Sequence, residues 1–216
     1  MCYQVNSEFS HNFGFALNYG NIVKAIEGSN STFRTFPANL YHTVDLKTSS
    51  SIVGAVFCGC LVKSTLGAIV NPIEKGHPDI VPNSAAGASE EQLRNYPEGL
   101  EIKTTVGNIK SGSNYRPGQR RLEVLSGITW QAHHQEVREL MALIWDFNNL
   151  YEGFLYPMIT GVFFSAILEQ SDWGAISGTT GRNTKVCGMT ASGRSKMKAG
   201  WIVLHKDYSP RYLQLL

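Results

Sequence analysis

Two short apolar segments of this chain each carry a carboxylate, and their polar residues are spaced as metal chemistry requires. Asp79 opens the first segment, while Glu101 and Lys103 lie in the second, residues 100–106. Residues two apart in a strand project to the same face, so Glu101 and Lys103 should lie together while their neighbours face a core. If the two strands are adjacent, Asp79 and Glu101 can share a hard divalent cation, and Lys103 can orient or activate a water. This set is suited to metal-assisted hydrolysis of a phosphodiester.

The segments that must position these residues have the patterns of strands. Residues 67–71 predict a first strand and residues 74–77 a turn, and a second strand then begins at Asp79. With the site strand, this hairpin predicts an antiparallel start of three strands. Between them, Ser89-Glu90-Glu91-Gln92 is typical of a helix capping box.

The spacing of these residues also resembles a known signature. Pro78-Asp79, followed after a gap by Glu101-x-Lys103, is similar to the PD-(D/E)XK nuclease motif, and over residues 66–150 the chain resembles a type II restriction endonuclease. A plainer interpretation stays open, in which Asp79 is a turn residue and Glu101 and Lys103 form a solvated ion pair. Such exposed pairs are common and contribute only ~0–1 kcal/mol.

The resemblance implies a site for Mg²⁺ whose ligands are Asp79, Glu101 and the backbone carbonyl of Ile102. It implies that Lys103 positions the attacking water and that the products carry 5′-phosphates. Many members of this family add a glutamate from an early helix to the metal ligands. Glu27, at the end of a predicted helix, is the better candidate for that role, and Glu8 is the other.

Length predicts one domain, residues 1–216. The pattern of strand and helix segments and the resemblance together imply the α/β class, with a mixed central sheet of about five strands flanked by helices, a core like that of restriction endonucleases. The 43% apolar content suffices for a full core at 216 residues. We expect a catalytic core over about 50–165 and a basic part over about 170–216. Predicted helices cover residues 7–28, 49–64, 119–126 and 129–138, with a stop at 28–31; further predicted strands cover residues 140–147, 154–165 and 200–205.

Basic and amide residues downstream of the site strand are candidates for DNA contacts, because Arg and Lys bind phosphates or guanine and Gln can read adenine. The net charge is only +2, but no acidic residue occurs between Asp172 and Asp207, where six basic residues lie. The candidates are Arg116, Gln119, Arg120, Arg121, Gln131, His133, His134, Arg182 and Lys185. For each residue taken singly, a solvated surface loop is an equally good interpretation.

The cluster around His133 and His134 allows two other interpretations. His133 and Glu136 are three residues apart and could share a helix face as zinc ligands, but no third ligand is evident. The plainer alternative is a partly buried helix that packs through Trp130 and Val137.

The cysteines and the apolar runs indicate a cytoplasmic protein that does not enter a membrane. Cys58 and Cys60 lie in an apolar run without a CxxC pair or zinc-like spacing, which is typical of free thiols in a reducing compartment. The first residues lack the basic start and apolar core of a signal peptide. The longest apolar run, residues 52–62, is about half of the ~20 residues that a spanning helix needs.

Together these patterns predict a Mg²⁺-dependent, sequence-specific endonuclease that acts on double-stranded DNA. A homodimer on a palindromic site would cut both strands economically, and a cognate DNA methyltransferase could belong to the same system. Two alternatives stay open: a structure-specific repair or junction-resolving nuclease with the same site, and a non-catalytic DNA-binding protein. The intact set of Asp79, Glu101 and Lys103 argues against the latter.

Overall fold

The computed structural model describes residues 2–109, 116–128, 130–131, 137–177 and 186–216. The helices are α1 (Tyr19–Phe33), α2 (Leu40–Thr43), α3 (Leu46–Ser64), α4 (Glu90–Leu93), α5 (Ala191–Ala199) and α6 (Ser209–Leu215). The strands are β1 (Tyr3–Val5), β2 (Ser10–Asn12), β3 (Ala16–Asn18), β4 (Ala68–Val70), β5 (Ile80–Pro82), β6 (Glu101–Thr105), β7 (Asn108–Ile109), β8 (Leu125–Gly127), β9 (Trp130–Gln131), β10 (Leu140–Tyr151), β11 (Phe154–Ser165), β12 (Val186–Cys187) and β13 (Trp201–His205). Short 3-10 turns cover Asn83–Gly87 and Gln170–Asp172.

A five-stranded mixed sheet forms the centre, in the order β1-β13-β11-β10-β6. The site strand β6 pairs in parallel with β10, whereas the other neighbours pair antiparallel. Helices flank this sheet, so the predicted α/β class with about five strands is confirmed. The site strand lies at one edge of the sheet, and this leaves one side of its backbone open to residues from outside the sheet.

Both faces of the two central strands are buried, which explains their nearly continuous apolar sequences. On one face, Met141, Leu143 and Trp145 pack with side chains of α1 and α3. On the other face, Ala142 and Ile144 pack with a second cluster that contains aromatic residues of the C-terminal part. The strands predicted at residues 140–147, 154–165 and 200–205 are confirmed as β10, β11 and β13.

Helix α3 packs between α1 and the site strand. Val53, Phe57 and Leu61 recur at helical spacing and are fully buried. The helix begins before the predicted cap because Asp45 accepts a hydrogen bond from the Thr48 N–H at 2.6 Å. By length and composition α3 could also cross a membrane, while its buried residues Val53, Phe57 and Leu61 belong to the core.

The helix predicted over residues 7–28 is wrong in its first half. Strands β2 and β3 form a hairpin there, and its turn places Gly14 at a φ of 81°, a conformation that favours glycine. Helix α1 starts only after Asn18, whose side chain accepts hydrogen bonds from the first backbone N–H groups. The helix then continues through the predicted stop at 28–31, where the hydroxyl of buried Ser29 donates to the Ala25 carbonyl at 2.7 Å.

The helix predicted over residues 119–126 is also wrong. The backbone turns there and enters β8, because the N–H of Arg121 donates to both carboxylate oxygens of Asp146 at 3.0 and 2.8 Å. The helix predicted over residues 129–138 begins instead with β9, which pairs with β12, and most of the remainder lies outside the described residues.

Asp146 is a buried carboxylate that anchors this segment to the sheet. It is 1% exposed and also accepts hydrogen bonds from the Phe147 N–H and the Tyr208 hydroxyl, both at 2.8 Å. Burial raises the pKa of Asp146. Donors from three residues offset the cost of burying the group.

We expect Tyr208→Phe to lower the free energy of unfolding by about 1.5–3 kcal/mol, because it removes one hydrogen bond to a charged group. Asp146→Ala should cost more, since it leaves several buried donors without an acceptor. Urea denaturation at pH 7 would measure both. Tyr19→Phe is the matched control at a tyrosine that is 36% exposed, where the change should stay within about 0.5 kcal/mol. Equal effects at Tyr19 and Tyr208 would contradict an anchoring role for Asp146.

Candidate active site

An antiparallel bridge joins the β4–β5 hairpin to the site strand. Ile80 and Leu100 exchange two backbone hydrogen bonds, with N···O distances of 3.1 and 2.8 Å. Continued by one residue, this register places Asp79 opposite Glu101. The predicted antiparallel start of three strands is therefore present as a hairpin plus a bridge, and it brings together the two carboxylates that lie 22 positions apart in the chain.

Asp79 lies along the outer edge of the sheet. Its Oδ2 accepts a hydrogen bond from the Ile102 N–H at 2.7 Å. A residue in a strand directs its N–H and its C=O to the same side. The Ile102 carbonyl oxygen therefore points to the edge where Asp79 lies, which is the direction that the predicted ligand set requires.

Glu101 is buried and lies beside the side chains of Lys103 and His77. Its Oε1 forms an ion pair with the Lys103 ammonium and lies 3.3 Å from Nδ1 of His77. The side chains of Glu101 and Lys103 are only 8% and 13% exposed. The prediction that these two residues share a face is confirmed. The solvated surface pair of the plainer interpretation is wrong, because both partners are removed from water.

Burial and the charge of Glu101 raise the pKa of Asp79 to about 6. The Ile102 N–H, Lys103 and His77 act in the opposite direction without cancelling these effects. When ionised, Asp79 and Glu101 together carry two negative charges at this edge, and the ammonium of Lys103 supplies one positive charge beside them.

The donor set fits a magnesium ion. Among the described residues there is no group of three or more His, Cys, Asp or Glu side chains that could hold a metal. Two carboxylates and a carbonyl nevertheless suit Mg²⁺, which keeps several waters and usually takes only one or two protein carboxylates. The excess negative charge around Asp79 is what such a cation would neutralise.

Two cavities lie beside the carboxylates. One, of about 690 Å³, is lined by Glu101 and His77. The other, of about 470 Å³, is lined by Asp79, Cys58 and again His77. Burial raises the pKa of the Cys58 thiol, so the thiol stays neutral and is no candidate nucleophile. The carboxylates thus stand between two concave surfaces, of which a substrate could enter either.

Glu27 does not lie near this site, so its prediction as a metal ligand is wrong. It is exposed on α1, and its charge acts on Tyr3 of β1. Strands β1 and β6 form the two opposite edges of the sheet. They are separated by four strand spacings of about 4.8 Å each. The sequence could not reveal this, because the sheet order that separates the two edges is not a local property.

The basic segment at residues 116–121 also lies apart from the carboxylates. In β10, the residue paired with Glu101 is Leu140. Asp146, which accepts the hydrogen bond from the Arg121 N–H, lies six residues further along β10, roughly 20 Å from Leu140. Arg121 is only 5% exposed, so its prediction as a DNA contact is wrong. Arg120 is 3.9 Å from Asp207 and 5.7 Å from the centre of the Tyr208 ring.

The structure describes only some of the other predicted DNA contacts. Arg116 and Gln119 are exposed and lie in one turn, where the Arg116 N–H donates a hydrogen bond to Gln119 Oε1 at 3.3 Å. Gln131 pairs with Val186 through its strand. Lys196, from the basic C-terminal part, is held by Asp172 at 2.7 Å. The predicted contacts outside the described residues are His133, His134, Arg182 and Lys185.

Sequence reasoning missed His77, Tyr96 and Arg138, which line the larger cavity beside Glu101. His77 directly precedes the Pro78-Asp79 pair, and that adjacency was the available signal. Tyr96 and Arg138 are carried to the cavity by the loop before β6 and by the start of β10, so their approach depends on the tertiary fold.

Comparison with known proteins supplies no family for this chain. No protein-family model matches it, and neither a curated protein nor a solved structure matches it. What the chain does must therefore be inferred from its own residues.

We expect metal-free Asp79→Asn to become more stable than the wild type as the pH rises from about 4 to 8. A raised pKa means that Asp79 binds its proton more tightly in the folded state than in the unfolded state. Below about pH 4, Asp79 is protonated in both the folded and the unfolded state, so folding buries no charge at this residue. Above about pH 6, Asp79 is ionised in the folded state, which then carries a buried charge. The shift in the pKa of Asp79 to about 6 corresponds to up to about 3 kcal/mol.

Urea denaturation with a chelator at several pH values would measure this difference. Asp45→Asn is the matched control, because hydrogen bonds from Thr48 lower the pKa of Asp45. That variant should lose stability relative to the wild type as the pH rises. An Asp79→Asn difference that does not change with pH would contradict the described environment of Asp79.

Proposed function

We propose that this chain is a Mg²⁺-dependent, sequence-specific endonuclease that hydrolyses both strands of duplex DNA, as a type II restriction enzyme of the PD-(D/E)XK class does. One arrangement supports the proposal most strongly. Asp79 lies at the edge of the site strand beside Glu101, and Glu101 is ion-paired with Lys103. These are the residues that carry the resemblance in sequence, and two of them, Asp79 and Glu101, line concave surfaces.

Each residue of the set has a separate role. Asp79, Glu101 and the Ile102 carbonyl would hold Mg²⁺, which when bound would stabilise the charge that builds on the phosphate. The ammonium of Lys103 donates to Glu101 and has further N–H donors with which to hold and orient the attacking water. Because Lys103 is only 13% exposed, this orientation would be held rigidly.

The same proposal includes a homodimer on a palindromic site, a cognate methyltransferase in the same system and a cytoplasmic location. The support for the location is that Cys2, Cys58 and Cys60 are free thiols.

A digest of unmethylated plasmid DNA with Mg²⁺ would test the proposed activity. Discrete bands ending in 5′-phosphates would support a restriction enzyme. Nicks confined to branched or mispaired DNA would indicate a repair or junction-resolving nuclease. Binding without cutting, at any Mg²⁺ concentration, would indicate a DNA-binding protein and would overturn the enzymatic proposal.

We expect Lys103→Met to reduce the cleavage rate by ~10²-fold or more, because the stem is kept while the group that orients water is lost. DNA affinity in Ca²⁺ should change little. Single-turnover cleavage and a binding titration would measure the two effects.

Lys196→Met is the matched control for this change. Lys196 is also ion-paired and mostly buried, with 22% of its side chain exposed, but it binds Asp172. It should keep the wild-type rate. Asp79→Ala, in contrast, should remove both cleavage and metal-dependent binding. A Lys103→Met protein that cuts DNA at the wild-type rate would refute the role of the lysine.

DNA binding should weaken with salt, with a log–log slope that falls by about 0.9 for each phosphate contact removed. We expect Arg116→Gln and Arg120→Gln to reduce the slope by up to this amount if the exposed turn meets the DNA backbone. Lys24→Gln, on the exposed face of α1, is a control of equal charge change. A slope that is the same in all three variants would show that residues 116–120 are a solvated surface.

A further inference from the structure

The larger cavity beside Glu101 has a lining that the hydrolytic chemistry does not use. Its volume is about 690 Å³, and it is formed by the loop before β6 and by the residues that lead into β10. His77 and Glu101 lie at the site, whereas Asn95, Tyr96 and Arg138 form other parts of the wall. The cavity is therefore continuous with the proposed catalytic residues.

The chemistry of this wall matches a nucleobase. Tyr96 provides an aromatic ring on which a base can stack, and such stacking accepts any base. The Asn95 side-chain amide can both donate and accept hydrogen bonds, as the edge of a base requires. Arg138 is exposed and supplies a cation for the attached phosphate.

The size of the cavity suits one nucleotide. A volume of about 690 Å³ lies within the range of roughly 300–1,000 Å³ of pockets that bind a small molecule. Among the described residues, the lining of the smaller cavity beside Asp79 includes no Tyr, Phe or Trp, so these residues offer no comparable stacking surface there.

We propose that the larger cavity receives one nucleobase rotated out of the DNA duplex next to the scissile phosphate. This inference rests on the proposed nuclease function. It assigns the preferred substrate as DNA in which the nucleotide beside the cut is easily unstacked. Rotation costs the pairing and stacking energy of that nucleotide, so a mispaired nucleotide enters more readily than a paired one.

The test uses duplexes that span a mapped cleavage site and carry 2-aminopurine at either nucleotide beside the scissile phosphate. Ca²⁺ replaces Mg²⁺ so that the DNA is bound without being cut. Binding of the wild type should raise 2-aminopurine fluorescence several-fold at one of the two positions. A mispair at that position should tighten binding by about tenfold.

Tyr96→Leu keeps an apolar side chain and removes the ring, so it should abolish the fluorescence increase and weaken binding by about tenfold. Tyr96→Phe should restore both. Tyr151→Leu is the matched control at an exposed tyrosine at the end of β10, and it should behave as the wild type. Asn95→Ala alters an exposed residue of the cavity wall and provides a second test of the pocket if Tyr96→Leu does not fold.

The outcomes separate this inference from the proposed function. A chain that cuts paired DNA but gives no fluorescence increase at either position, and is unaffected by Tyr96→Leu and Asn95→Ala, overturns the base pocket and leaves the nuclease proposal standing. A chain that binds no DNA overturns both.

Discussion

The antiparallel bridge between Ile80 and Leu100 is the constraint on which the site depends. It fixes the register between the β4–β5 hairpin and the edge strand of the main sheet. A slip of one residue would turn Asp79 to the other side of the hairpin, because side chains alternate along extended chain. The bond from the Ile102 N–H to Asp79 follows from the same register. One pair of backbone hydrogen bonds thus decides whether the two carboxylates form a site.

Local patterns made the site strand and the shared face of Glu101 and Lys103 predictable, but they could not supply the sheet order. Glu101 and Lys103 share a face because of a period of two residues, which is a property of the segment itself. Glu27 was misassigned because its distance from Glu101 depends on which strands separate them. The same limit explains Arg121: its sequence suggests a surface turn, whereas a distant carboxylate, Asp146, binds its backbone and buries it.

Errors in the predicted helices have a common physical cause. Residues 10–18 and 119–126 contain enough apolar positions for a helix, but short polar side chains or a buried carboxylate bind their backbone N–H groups instead. Asn12 does so in the turn between β2 and β3, where its Oδ1 accepts from the Gly14 N–H at 3.0 Å, and Asp146 does so before β8. Hydrogen bonds of this kind compete with the helical pattern, and their effect depends on where the acceptor lies in the fold.

Asp146 and Asp79 show how burial alone fails to distinguish structural from functional carboxylates. Burial raises the pKa of both groups. Asp146, however, accepts hydrogen bonds from two backbone N–H groups and a tyrosine hydroxyl. Among the described residues, Asp79 accepts one backbone hydrogen bond and faces the charge of Glu101. The first arrangement is complete within the chain and stabilises the fold, whereas the second has capacity for a cation. The difference in available donors, rather than the depth of burial, is therefore the physical reason to look for chemistry at Asp79.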